Sequence, residues 1–348
     1  MAENYYNEAI SFENLYKAMK KCCRGVRWKD SVVRYETNGL KNTFKLSKRL
    51  KNGSYKSQPY QTFHIYEPKE RIIDAPRLVD RQFQRSLCDN GLYDDLTEHF
   101  IRDNYACQIG RGTDDALERM KVQLRRYYQK HGCHGWFLKC DIQKYFPSTR
   151  HDVANKIIEK YCTDQNAIKA VQNVIDSFDG DVGIGLGSQI SQLIELTVLN
   201  DLDHFIKERL RIKEYVRYAD DFILMCDDRD YLVHCLRKIE QKLSVIGLQL
   251  NNKTTIQPMQ HGVIFLQWRF VLTETGKVLM LMDPSKVTRQ RHKMRKLWEK
   301  ERDGKIPEGS TRHSAESFIA NAARGNTWRL QKNIIHYYHE LTGGSLYD

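Results

Sequence analysis

The stretch Glu214–Asp228, "EYVRYADDFILMCDD", sets two short apolar runs, "EYVRY" and "FILMC", on either side of Ala219 and Asp220. Runs of this length, rich in Tyr, Val, Ile and Phe, read as strands joined by a tight turn. The carboxylates of Asp220 and Asp221 sit badly in that reading, because neighbouring charges repel and a buried unpaired charge costs several kcal/mol. An exposed turn is one resolution, since Asp is common there. A bound cation is the other, and it calls for further carboxylate. A second candidate lies 79 positions earlier, where "GWFLKCDIQKYFPSTRHDVANKIIEKYC" passes from a short apolar strand ending at Asp141, through a turn at Pro147 and Ser148, into a helix. In one antiparallel sheet, the Asp141 strand end and the Asp220 tip converge. Hard divalent cations take oxygen ligands supplemented by water and substrate phosphates, so these carboxylates would seat one or two Mg2+ ions.

Composition narrows the class. At 348 residues the chain exceeds the usual single-domain size, and two or three subdomains are expected. Its 56 Lys and Arg against 44 Asp and Glu leave a net charge of +12. Such a surplus favours a polyanionic partner; with no long apolar segment or lipidation signal, nucleic acid is expected and a membrane is not. Nine cysteines, an odd count without a CxxC pair, suit a reducing compartment. The opening "MAENYYNEAISFENLYKAMKK" lacks the apolar core of a signal peptide, so a cytoplasmic location is expected. "HGCHGW" gathers His131, Cys133 and His134, but at a spacing too tight for zinc without a second cluster.

No repeat or Pro-rich linker divides the chain. Residues 8 to 50 read as basic amphipathic helices, and "PYQTFHIYEPKERIIDAP" reads as a hairpin with a charged tip. "LVDRQFQRSLCDNGLYDDL" has helical periodicity, "GLGSQISQLIELTVLNDLDHFIKERL" reads as one long helix opened by a glycine-rich turn, and "DYLVHCLRKIEQKLSVIGL" as a helix ending at Gly247. Short strands follow at "GVIFLQWRFVL" and "KVLMLM", and from Asp283 the pattern is helical and basic. The expected class is α+β, a small antiparallel sheet backed by helices.

Seven blocks in order resemble those of reverse transcriptases: "PKERIID", "NYACQIGRGTDDA", "LKCDIQKYFPS", "LGSQISQ", "YVRYADDF", "LQLNNKTTI" and "FLQWRF". A lone DD is common; seven blocks in fixed order are specific. The resemblance implies a right-hand polymerase, with an N-terminal arm and fingers over 1–130, a palm over 131–282 and a helical thumb over 283–348. It implies RNA-directed DNA synthesis with two Mg2+ ions, Mn2+ being a substitute. Asp141 and Asp220 are the firmer implied ligands, with the Ile142 backbone carbonyl beside them and Asp221 acting more indirectly. Lys253 is the implied cation for the departing pyrophosphate, against a plain strand-end lysine. Phe146 is the implied steric gate beneath the incoming sugar, against a core aromatic; Tyr145 reads as packing. Lys69 and Arg71 on the fingers hairpin would grip the triphosphate, against a solvated tip. Leu186 and Gln189 fall at the nucleotide, and Arg81, Ser191, Gln192 and Tyr218 at primer and template. Ser285–Lys305 holds nine Lys or Arg against three acids; in a thumb, Lys286, Arg289, Lys293 and Lys296 would lie along the phosphates of the duplex, where each neutralised phosphate adds salt-dependent affinity. Met294 and Trp298 would form the inner stripe of that helix, packed on helices containing Trp328 and Tyr337.

Many reverse transcriptases carry Gln-Gly in the palm-helix block, often closing it with Ser-Pro. Leu186-Gly187 and Ser191-Gln192 here look more like enzymes of bacterial diversity-generating retroelements. That implies error-prone copying of an element RNA, with a structured noncoding RNA and a small basic accessory protein as partners beside template RNA, cDNA product and dNTP substrates. A defence enzyme copying its own noncoding RNA shares parts of the pattern. The rival from another class, an inactive RNA-binding scaffold, is opposed by the intact Asp141, Asp220, Asp221 and Lys253.

Overall fold

The computed structural model describes residues 4–66 and 70–347. Among the described residues nine strands form three antiparallel sheets. A two-stranded hairpin pairs β1 (Gln61–Ile65) with β2 (Arg71–Ala75). A four-stranded sheet runs in the order β4 (Tyr215–Tyr218), β5 (Asp221–Cys226), β3 (Trp136–Asp141), β6 (Thr255–Pro258). A three-stranded meander follows in β7 (Val263–Phe265), β8 (Trp268–Leu272) and β9 (Val278–Met282).

Alternation along the strands gives the central sheet two buried faces. Leu138 and Cys140 of β3, with Phe222 and Leu224 of β5, belong to a core shared with the N-terminal helices and with helices Gln189–Val198 and Arg229–Val245. Phe137, Ile223 and Met225, one position out of phase, belong to a second core. That core is completed by helix Thr113–His131, the β7–β9 sheet and the C-terminal helices. The near-continuous apolar run "FILMC" is the sequence trace of a strand covered on both faces. The helix Thr113–His131 falls in the segment assigned to the fingers, yet its Leu117, Met120 and Leu124 pack in the same core as Val216 of β4.

The long helix expected after the glycine-rich turn is interrupted at Leu199. It divides into Gln189–Val198, Asn200–His204 and a wider turn at Phe205–Arg209. Three helices follow the meander: Pro284–Arg302, Ser310–Ala322 and Trp328–Thr342. Met294 is fully buried among them, and the Arg291 guanidinium lies over the Tyr337 ring. Met294 shares a core with Ile334 and Tyr338 of the helix that contains Trp328, while Trp328 itself, at the first turn of that helix, is 64% exposed.

Candidate active site

The two acidic segments meet as the spacing suggested. In the β3–β5 ladder Asp141 is the direct partner of Asp221, and Tyr218 pairs with Asp221 to close a two-residue turn of Ala219 and Asp220. Opposed residues of an antiparallel pair project to the same face, so two carboxylates stand together with the third in the adjoining turn. Ala219 takes a left-handed φ of 54°, a conformation unfavourable for a residue with a Cβ. The turn is held from below by Arg217, whose Nη1 donates to the Ala219 carbonyl at 3.0 Å. The Arg217 guanidinium is fully buried, and its Nε lies 2.8 and 3.0 Å from the Asp203 carboxylate oxygens.

Asp141 is fixed from the other edge. The backbone N–H of Asn251 donates to its carbonyl at 2.7 Å, and the Asn251 side-chain amide donates to its Oδ2 at 3.1 Å. Ile142 bridges to Leu250, flanked by the Gln143 to Gln249 and Asn251 to Asp141 bonds. That alternation directs the Ile142 carbonyl to the opposite edge, the side of the Asp220 turn.

Asp221 is only partly satisfied by its surroundings. Its side chain is 22% exposed, but Oδ1 is shut off from solvent and has no hydrogen-bond donor. Burial pushes its carboxyl up to about 7; Lys139, 3.9 Å away, pulls against this, while Asp141 and Asp220 add to it. Lys139 is itself tied by a 2.7 Å bond from Nζ to the Ile264 carbonyl. An orphaned buried carboxylate oxygen facing a second carboxylate fits a divalent cation. Among the described residues no group of three or more His, Cys, Asp and Glu side chains is gathered as a metal cage, so such a cation would need oxygen ligands from water and substrate.

The remaining residues fall around this edge unequally. Phe146 lies on a one-turn helix, Tyr145–Ser148, half-buried against the first core, with its carbonyl accepting from Ile184 N–H at 2.9 Å. Leu186 is half-buried, and its carbonyl accepts from Asp74 N–H of β2 at 2.7 Å, docking the hairpin on the palm-helix block. Gly187 is required there: its φ is 130°, and an added Cβ would lie 2.8 Å from the Asp74 carbonyl oxygen. Gln189 and Gln192 line a cleft of about 710 Å3 together with Arg81, Gln84, Lys21 and Arg85. Ser191, grouped by sequence with the primer-template contacts, is fully buried inside the helix packing. That takes it out of reach of a duplex. Tyr218 is half-buried, its hydroxyl 3.3 Å from Thr113 Oγ1. Lys253 is exposed in a turn whose backbone N–H donates to Asn251 Oδ1, one link from Asp141. Arg71 is exposed at the start of β2, and Lys69 lies outside the described residues. Lys286, Arg289, Lys293 and Lys296 recur at spacings of three and four along Pro284–Arg302 and so share a face; the last three are exposed, while burial draws the Lys286 ammonium below its ordinary range.

Residues 66–270, more than half of the chain, match the family described as reverse transcriptase (RNA-dependent DNA polymerase). The chain belongs to that family. This reverse transcriptase is 25% identical over 275 residues to Protein YkfC of Escherichia coli (strain K12), covering 65% of this chain and 70% of that protein. It is 23% identical over 185 residues to the Putative COX1/OXI3 intron 1 protein of Saccharomyces cerevisiae, covering 48% of this chain and 20% of that one. Its fold resembles telomerase from Candida albicans, solved with a TWJ fragment of telomeric RNA, with a TM-score of 0.51, 13% identity, and 83% and 60% of the two chains covered. Apo telomerase from Candida tropicalis gives 0.52, 12% identity, and 82% and 62%. The reverse transcriptase thus spans about three fifths of the telomerase chains and a fifth of the intron protein. The right-hand polymerase fold of an RNA-directed DNA polymerase is the architecture these likenesses share with the sheets and helices described above.

Sequence reasoning missed the groups that hold this reverse transcriptase's carboxylates in place. Arg217 left a trace, a cation at the centre of an otherwise apolar strand, and so did Asp203 and Glu195 within a helix of buried aliphatics. Asn251 left none, because its role depends on a loop returning from a helix 110 positions downstream of Asp141.

Proposed function

We propose that this reverse transcriptase copies RNA into DNA with two divalent cations seated by Asp141, Asp220 and Asp221. The observation that carries this is the direct pairing of Asp141 with Asp221, whose buried Oδ1 lacks a donor. A cation bound there supplies Lewis-acid charge, making a primer 3′ hydroxyl more acidic and stabilising charge on the departing pyrophosphate. The chain's own part is positioning. Arg217 and Asn251 hold the two acidic segments in register from opposite edges. The Ile142 carbonyl adds an oxygen on the side of the Asp220 turn. Phe146, on the turn following Asp141, is the ring that lies beneath the incoming sugar and rejects a 2′ hydroxyl. Lys69 and Arg71 grip the triphosphate. The cleft between Arg81, Gln189 and Gln192 receives the templating nucleotide, and Lys253 reaches the pyrophosphate. Arg289, Lys293 and Lys296 track the phosphates of the hybrid, with Lys286 at the root of the same face.

The biological setting proposed is a diversity-generating retroelement. What supports it is Leu186 in place of a glutamine, with Gln192 closing the block. A structured element RNA and a small basic accessory protein are the partners proposed, in the cytoplasm; among the described residues no helix is long and apolar enough to cross a membrane.

The test is primer extension on a defined RNA. Asp220→Asn keeps the shape of the turn and removes a ligand charge; extension with Mg2+ should fall by at least a hundredfold while the circular dichroism spectrum is unchanged. Near-normal extension by the folded variant rejects the two-cation reading.

A further inference from the structure

The helix Pro284–Arg302 presents two different faces. Lys286, Arg289, Lys293 and Lys296 occupy one. Pro284, Val287 and Thr288, also three and four apart, lie nearly opposite at about 100° per residue. This second face forms one wall of a cleft of about 1140 Å3, to which nothing above gives a role. Its floor is Leu279 and Leu281 of β9, which alternate with Val278, Met280 and Met282 of the second core. The opposite wall is the first turn of helix Trp328–Thr342. Asn326 ties the approach to that turn onto the strand: its backbone N–H donates to the Met280 carbonyl at 2.8 Å, and its Oδ1 accepts from Met280 N–H at 2.9 Å.

Trp328 stands at the rim, 64% exposed, with the Lys332 ammonium 4.0 Å from its ring centroid. Singly exposed apolar residues are ordinary, but this ring adjoins an apolar floor. Lys277 and Arg329 complete the rim, and no Asp or Glu is among the described residues that line the cleft. Asp283, at the root of the first wall, is turned to its own helix, where it accepts from Ser285 N–H at 3.0 Å.

The lining decides the chemistry of an occupant. A basic protein is disfavoured by the like charges of Lys277, Arg329 and Lys332, and an apolar peptide would leave those cations unmatched. An acidic peptide matches them but brings no flat face to the ring. A single nucleic-acid strand does both: a base stacks on the indole and phosphates meet the cations, the combination by which unpaired strands are held. A duplex does not, because its bases are already stacked on one another.

We propose that this cleft binds an unpaired RNA segment, with a base on Trp328 and phosphates at Lys277 and Arg329. The site lies on the side of the helix away from the hybrid, so the strand it holds is not the one being copied. In the reading above, that strand belongs to the structured partner RNA. The inference rests on assigning the Lys286–Lys296 face to the hybrid and adds a second RNA site behind it.

The test uses the full chain preloaded with a saturating primed RNA whose DNA primer ends in a dideoxynucleotide, so that the copying site is filled. A fluorescein-labelled oligouridine of about 12 nucleotides is then titrated by anisotropy. Wild type should still bind it. Trp328→Ala should weaken that binding by about tenfold, and Trp328→Phe, which keeps a ring, by much less. Arg329→Gln should flatten the slope of log affinity against log salt by about 0.7. The affinity for the primed RNA should be unchanged in all three. Arg289→Ala combined with Lys293→Ala should do the reverse, weakening the primed RNA and sparing the oligouridine. If preloading abolishes oligouridine binding, or if Trp328→Ala binds it as wild type does, the inference is overturned. It is equally overturned if oligouridine stays unbound while the chain self-associates in sedimentation and Trp328→Ala abolishes that association; the cleft then holds a second copy of the chain. If the paired Arg289 and Lys293 substitutions leave the primed RNA unaffected, the assignment of the basic face has failed, and the Trp328 variants still decide the cleft.

Discussion

Replacing Asp221 with Asn removes a charge that the fold holds in an unfavourable place, so the variant should be the more stable protein without metal. The folded carboxyl sits at about 7 against an ordinary 3.8. Between those values the folded chain keeps a proton that the unfolded chain releases, so wild-type stability falls as pH rises through the interval. The cost is absent below about pH 4 and complete above about pH 7. The full interval corresponds to about 4 kcal/mol; partial exposure of the side chain reduces the expected effect to about 2 kcal/mol. Urea unfolding in EDTA at several pH values reads this directly: from pH 4 to pH 8 the wild type should lose about 2 kcal/mol that Asp221→Asn keeps. Mg2+ should then reverse the order of benefit. At ten times its dissociation constant a folded-state ligand adds about 1.4 kcal/mol, and the wild type should gain this while the variant gains less. Parallel pH slopes in the two proteins, or equal stabilisation by Mg2+, would refute the reasoning that this carboxylate is poised for a cation.

Phe146→Ala should raise ribonucleotide incorporation relative to deoxynucleotide by at least tenfold in steady-state kinetics, because discrimination by a clash vanishes with the ring; an unchanged ratio places the ring elsewhere. Leu186 offers shape and apolar contact where a glutamine would hydrogen-bond, so pair selection rests on the bases, and a wrong pair costing about 1–3 kcal/mol is rejected only about 5- to 150-fold. Deep sequencing of cDNA from one RNA should show frequent wild-type errors, concentrated opposite template adenine, and fewer with Leu186→Gln; low, even errors in both would favour the defence setting.

The legible parts of this protein were those that repeat along the chain. Short apolar runs marked β3, β4 and β5, and a spacing of three and four marked the basic face of Pro284–Arg302, because both patterns are written by local geometry. The pairing of the two acidic segments was legible because two acidic residues interrupt apolar strands, a conflict that only an interaction outside the strand resolves. The interruption of the palm helix at Leu199 was not legible, since "ELTVLNDLDHF" keeps helical periodicity across it. Nor was the second face of the sheet: whether an apolar run is covered once or twice depends on where helix Thr113–His131 and the β7–β9 meander come to lie. The buried polar groups were the hardest. Glu195, Asp203 and Arg217 each look like a surface charge out of place, and their partners lie 46, 14 and 14 positions away.

The second face also explains where the site is. The carboxylate edge lies on the seam between two cores, one built with the N-terminal helices and the other with the meander and the C-terminal helices. Lys139 crosses that seam, its ammonium 3.9 Å from Asp221 and bonded to the Ile264 carbonyl on β7. The turn that leaves β7 is Leu266-Gln267, with φ of 49° and 70° and no glycine to ease it. Two strained turns, at Ala219 and at Leu266-Gln267, therefore belong to the two sheets that Lys139 links. Strain of this kind persists only where surrounding packing over-determines it, and here both cores supply that packing. In the proposed reaction the first turn carries a cation ligand, and the second belongs to the block that resembles a primer grip. A primer end held by the second sheet would thereby be referenced to the carboxylates of the first through one lysine, Lys139.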